Sequence, residues 1–128
     1  QRVDKLKQEV AALRRQEKGM PEEDYQRETE KIAGHMSQTW ERIISQVIAE
    51  PLVDFASLEV RVGKLRIIGR VTEQDVKTYD DSYSRISGWA SRHDPHPELN
   101  YSPPEVDELE NEIEVIADWF KQVKRYQR

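Results

Sequence analysis

The sequence predicts an all-α fold: a helical hairpin with a short coiled-coil seam, followed by a small helical bundle. Three observations carry that expectation. Apolar residues recur at steps of three and four in several separate segments, the period of a helix with one buried face. Charged residues make up 35% of the chain against 36% hydrophobic, with a mean hydropathy of −0.90, which suits amphipathic helices better than a thick globular core. Only five glycines and six prolines interrupt the 128 residues, and the prolines cluster between 94 and 104. That length fits one domain, divided as a hairpin and long helix over 1–50 and a helical C-terminal part over 51–128.

Each element has its own signal. Val3, Leu6, Val10 and Leu13 form an a/d seam two heptads long, short enough to be the end of a longer coiled coil. Gly19-Met-Pro21 stops this helix, and Pro-Glu-Glu-Asp suits the first turn of the next. The second helix spans about 21–49, with Ile32, Met36, Trp40, Ile43, Ile44, Val47 and Ile48 on one stripe, and Pro51 ends it. The seam is expected to fold back on this helix, since the intervening turn is short; pairing with another chain is the alternative.

Residues 52–70 fit two periods. Leu58, Val60 and Val62 alternate as in a strand, while Phe55, Leu58, Val62 and Leu65 follow helical spacing. A lone strand lacks a partner, so the reading is helical. Thr72 caps a helix bearing Val76, Tyr79, Tyr83, Ile86 and Trp89/Ala90, which fails near His93-Asp94-Pro95. Ser102-Pro-Pro-Glu105 reads as a capping box for the last helix, whose stripe is Val106, Leu109, Ile113, Ile116, Phe120 and Val123.

The formal net charge of −5 hides a segregation. Residues 61–92 hold seven basic side chains against four acidic, and residues 94–120 hold nine acidic groups and no Lys or Arg. An acidic chain argues against broad nonspecific DNA binding, yet a local basic face can still meet RNA. With no cysteine there is no disulfide or thiolate metal site, as expected in a reducing cytosol, and no apolar run is long enough to span a membrane.

Several motifs stand in order: Thr39-Trp-Glu-Arg42, Val60-x4-Leu65, Val71-Thr-Glu-x-Asp-Val76, Trp89-x3-His-Asp94, Pro104-x2-Asp-Glu-Leu109 and Asp118-Trp119. Over about the last 90 residues this order resembles the C-terminal helical region of the coiled-coil AAA family ATPases related to the PrrC/RloC-type anticodon nucleases. The resemblance implies a longer protein with an ATPase domain, a role in phage defence, cytoplasmic localisation, and an ATPase domain or subunit as partner. No G-x4-G-K-[ST] occurs, so this chain alone is expected neither to bind nor to hydrolyse ATP, and no cofactor is implied.

The nuclease members have a C-terminal domain similar to HEPN ribonucleases, helical dimers whose signature is Arg, four to six residues, then His. The resemblance therefore implies a homodimer, and His93 as acid/base for metal-free cleavage of tRNA or other RNA by 2′-OH attack. Here the pattern departs: with four residues between Arg and His93, the Arg position falls on Gly88. Arg85, eight residues before His93 and offset by roughly 80° on a helix, and Arg92 are the cations left to stabilise the phosphate. Arg61, Lys64, Arg66 and Arg70 form the expected RNA-contacting run, with a solvated face as the bland alternative.

Other readings stand beside these. His93 also suits a helix C-terminus, and His93-x2-His96 with Asp94 and Glu98 makes a poor metal set. Trp40, Trp89 and Trp119 lie on apolar stripes and fit core packing better than base stacking. The rival to catalysis is a dimerisation or docking module. Catalysis requires Arg85 or Arg92 to converge with His93 in an exposed cleft, whereas docking requires an exposed apolar patch.

Overall fold

The computed structural model describes residues 2–90 and 102–128. It is all-α apart from one small hairpin. The elements are α1 (Arg2–Gln16), α2 (Glu22–Ile44), α3 (Glu50–Leu52), β1 (Val53–Asp54), β2 (Glu59–Val60), α4 (Arg66–Arg70), α5 (Glu73–Ala90) and α6 (Val106–Lys124). The four long helices form an antiparallel up-down-up-down bundle in the cyclic order α1, α2, α5, α6. Two contacts per pair fix the directions: Arg14 meets Asp107 while Arg2 lies with Lys124, Glu9 meets His35 while Arg2 lies with Arg42, and Arg85 meets Glu112 while Asp75 meets Gln122.

One core serves both the hairpin and the C-terminal helices. Leu6, Val10 and Leu13 of α1 join Ile32, Met36, Trp40 and Ile43 of α2, Ile86 of α5, and Leu109, Ile113, Ile116 and Val123 of α6. The seam of α1 thus packs on both α2 and α6. Trp40 is fully buried at the centre, edge-on to Tyr79 and Trp119 at centroid distances of 5.2 Å each. Its indole N–H donates to Ser82 Oγ at 3.0 Å, and the Trp119 N–H donates to the Asp75 carbonyl at 2.9 Å, so neither buried donor is left unpaired.

Local chemistry explains the departures from expectation. Pro51 does not end the helical path: a π turn over Ser45–Ala49 leads from α2 into α3, which contains Pro51. Proline has no N–H for the Val47 carbonyl four residues back, and Gln127 Nε2 donates to that oxygen instead, at 3.2 Å. The helical reading of 52–70 holds for Leu52 at the end of α3, a 3-10 turn over Val62–Lys64 and α4, and fails over the hairpin. A partner for Glu59–Val60 exists in Val53–Asp54, brought opposite by a turn in which Asp54 Oδ1 accepts from Ala56 N–H at 3.0 Å.

The capping predictions split. Thr72 caps α5 as expected: Thr72 Oγ1 accepts from Asp75 N–H and Asp75 Oδ2 accepts from Thr72 N–H, both at 3.0 Å. Helix α6 begins later than expected, at Val106, with Glu105 and Glu108 forming its capping box and Ser102, Pro103 and Pro104 lying before it. The ring-locked backbone of two prolines leads into the helix rather than forming its first turn.

Candidate functional site

Arg92 and His93, two of the three expected catalytic residues, lie outside the described residues, as do Asp94, His96 and Glu98. Arg85 is described and is engaged. Its Nε donates to Glu112 Oε2 at 2.5 Å and its NH2 donates to Oε1 at 3.0 Å, a fork-to-fork pair. Glu112 is 4% exposed on α6, whereas about half of the Arg85 side chain remains accessible. These hydrogen bonds push the Arg85 guanidinium above its ordinary value, against a smaller opposing effect of burial. A phosphate drawing Arg85 away would leave a buried carboxylate unpaired, so its first task is to bind α5 to α6.

At Gly88, where the motif would have Arg, an added Cβ meets nothing among the described residues within 4 Å, and the same holds at Gly34 in α2. Packing therefore does not demand glycine at either helical position. Gly34→Ala and Gly88→Ala are each expected to raise unfolding stability by about 0.5–1 kcal/mol in urea titrations, by removing glycine's excess backbone entropy. Equal or lower stability would mean that a neighbour not in contact here needs the space.

The four expected RNA-contacting residues each make their own local contacts. Arg61 NH1 donates to the Glu50 carbonyl at 2.9 Å, and Arg66 Nε donates to the Gly63 carbonyl at 3.2 Å. Arg70 NH1 donates to the carbonyls of Tyr126 and Arg128 at 2.8 and 2.9 Å, tying α4 to the C-terminal turn. Lys64 alone lines a groove, together with residues of α6 and of the turn that follows it.

The sequence reading missed a third feature. Among the described residues, the large apolar side chains with substantial exposure are Phe55, Leu58, Val60, Val62, Leu65, Ile68 and Val76, all within one stretch of the chain. From Val53 to Val71 only Ile67 is buried. Val76, expected on the inner face of α5, is 49% exposed instead, because the adjacent Asp75 takes the inward position. The Asp75 carboxylate is satisfied there by Gln122 Nε2 at 2.9 Å and Tyr126 OH at 2.7 Å.

Leu58 is the most exposed of the set, at 77%, and it has φ of 61°, the left-handed region. A leucine pays about 1–2 kcal/mol to adopt it. The turn is nevertheless well fixed, for Leu58 N–H donates to the Asp54 carbonyl at 2.6 Å and Ser57 Oγ accepts from Glu59 N–H at 3.3 Å. An apolar side chain is thus held out in water by a strained backbone, a combination that points to contact with something else. A signal was present in the sequence: the apolar residues of 55–68 are too closely spaced to share one helical face.

Among the described residues no three acidic or histidine side chains gather as a metal site, and no helix is long and apolar enough to cross a membrane. No family model, curated protein or solved structure matches this chain.

Proposed function

We propose that the chain is a helical dimerisation module of a coiled-coil ATPase system of the kind its sequence resembles, joining two copies through the segment Phe55–Val76. The observation that carries this reading is the exposed apolar set, with Leu58 strained outward at its hairpin tip. Burying the exposed parts of seven such side chains contributes about 1 kcal/mol each, on the order of 7 kcal/mol from each copy. Two copies together set at most roughly 14 kcal/mol against an association cost of about 4–15 kcal/mol, so the affinity depends on how much of the set one contact covers.

A second copy fits this segment better than an unrelated protein. The stretch carries Glu59 and Arg66, so a two-fold contact can place the acid of one copy against the base of the other, while Arg61 already faces Asp54 at 4.0 Å within its own copy. The hairpin is also only two residues per strand, a size that rarely stands without further pairing. This reading gives Arg85 a structural role and requires no catalytic role of His93.

Sedimentation equilibrium at roughly 100 µM is expected to show a dimer, and Val62→Asp a monomer with unchanged helical circular dichroism. Leu58→Asn should do both of two opposite things. It should weaken association while stabilising the monomer, compared at low concentration, by up to about 1 kcal/mol, because Asn adopts the left-handed region more readily. A wild-type monomer would sink the proposal. Incubation with tRNA in EDTA is expected to leave the RNA intact; cleavage that disappears in His93→Ala would establish the nuclease reading instead.

A further inference from the structure

We propose that the base of the bundle, where α1 begins and α6 ends, binds the phosphodiester backbone of a single-stranded nucleic acid. Two adjoining grooves open there, of about 290 and 550 Å³, around the size of ligand-binding clefts, which run from about 300 to 1,000 Å³. Arg2 and Arg42 line the first; Lys64, Lys121, Arg125 and Arg128 line the second. Phe120 and Lys124 line both. Among the described residues, neither groove has an Asp or Glu in its wall.

Helix termini explain only part of this charge. The C-terminal end of α6 presents about half a negative charge, which one cation offsets, and α2 continues through its π turn rather than ending here. Arg42 lies 3.8 Å from Glu50 and is partly neutralised. Arg2, Lys64, Lys121, Lys124, Arg125 and Arg128 remain, well beyond what the termini need. They stand together on a chain whose net charge is −5, so their clustering is not a by-product of composition.

Phe120 selects the ligand. It sits half-buried between the grooves with the Lys124 ammonium 5.5 Å from its ring centroid. An aromatic ring among cations is the arrangement that stacks a free base while neighbouring charges hold phosphates. A duplex offers no free base face, and an acidic peptide has nothing flat for the ring. At the far end of the bundle Glu17, Glu22, Glu105 and Asp107 gather around one cavity with a single cation, Arg14, which is paired to Asp107 at 2.6 Å, so that end carries net negative charge and disfavours a polyanion. These cations belong mainly to α6 and the turn after it, so the inference stands independently of dimerisation.

The test is fluorescence anisotropy of the whole chain with labelled oligo(U) and oligo(dT) of roughly a dozen nucleotides, in EDTA, between about 50 and 200 mM salt. Binding is expected to weaken with salt at a log–log slope of about −0.7 per phosphate contacted, near −3 for four or five. Replacing Lys121, Lys124 and Arg125 together by Gln should flatten that slope by about 2 and weaken low-salt binding at least tenfold. Phe120→Leu should weaken binding several-fold and leave the slope unchanged. Lys124→Arg, which keeps the charge, should bind as wild type, and circular dichroism verifies that each variant is folded. A preference between the two sugars tells whether RNA or DNA is the source of the strand. Absence of binding, an unaffected triple variant, or a glutamate-rich peptide of equal charge binding as tightly would each overturn the proposal.

Discussion

Arg85→Ala is expected to lower unfolding stability by about 2–3 kcal/mol, the low side of what breaking a buried ion pair costs. The cost arises at Glu112: it is 4% exposed, and both of its carboxylate oxygens accept from Arg85. The exposure of about half of the Arg85 side chain to water keeps the figure below the full range. Replacing both residues by methionine should recover most of the loss, since a well-packed apolar pair avoids the desolvation altogether. Urea titration of the two single variants and the double variant measures the coupling directly. If Arg85→Ala were within about 0.5 kcal/mol of wild type, the arginine would not be structural. The phosphate-binding role implied by the family resemblance would then regain its ground.

Trp40→Ala should be the most damaging single change, at about 3–5 kcal/mol. Trp40 is fully buried, edge-on to two aromatic rings from α5 and α6, and hydrogen-bonded to Ser82. It is the residue through which α2, α5 and α6 meet. Domains of this size are stable by about 5–15 kcal/mol, so the loss is a large share of the total and should appear as a melting temperature many degrees lower. Trp40→Phe keeps an aromatic ring but removes the indole N–H donor, and should fall between wild type and alanine. A thermal melt unmoved by Trp40→Ala would contradict the central place of this residue.

The helices were legible because each carries one apolar stripe and all four stripes face the same core. Ile32, Met36, Trp40, Ile43 and Val47 were readable from spacing alone and are all buried. Buried polar residues were less visible, though their register gave a clue. Glu112 lies three residues after Leu109 and four before Ile116, a core position in α6, and a carboxylate there implies a cation from a facing helix. Asp75 stands likewise four residues before Tyr79, and its partners come from the far end of the chain. Spacing within one helix cannot name a partner on another. The stretch from Val53 to Val71 resisted reading for a different reason: it follows no single period, since a turn, a hairpin and one short helix share it.

The candidate site was legible in chemistry but not in place. Basic residues were visible as a run from Arg61 to Arg70, yet only Lys64 joins the groove at the base. The rest of that groove comes from α6 and the turn after it, and the adjoining groove adds α1 and α2, all remote from Lys64 in sequence and brought together only when the bundle closes.

The near absence of buried side chains from Val53 to Val71 has a consequence for how the molecule opens. The bundle core is complete without this stretch, so the stretch can detach while the four long helices stay folded. Its amides should then exchange with solvent through a low-energy, local opening rather than through global unfolding. Ile67 and the grip of Arg70 on the C-terminal turn are its main anchors to the bundle. Heating the protein reports on the helices and is nearly blind to this segment. Contact with a partner over this segment is expected to slow its exchange.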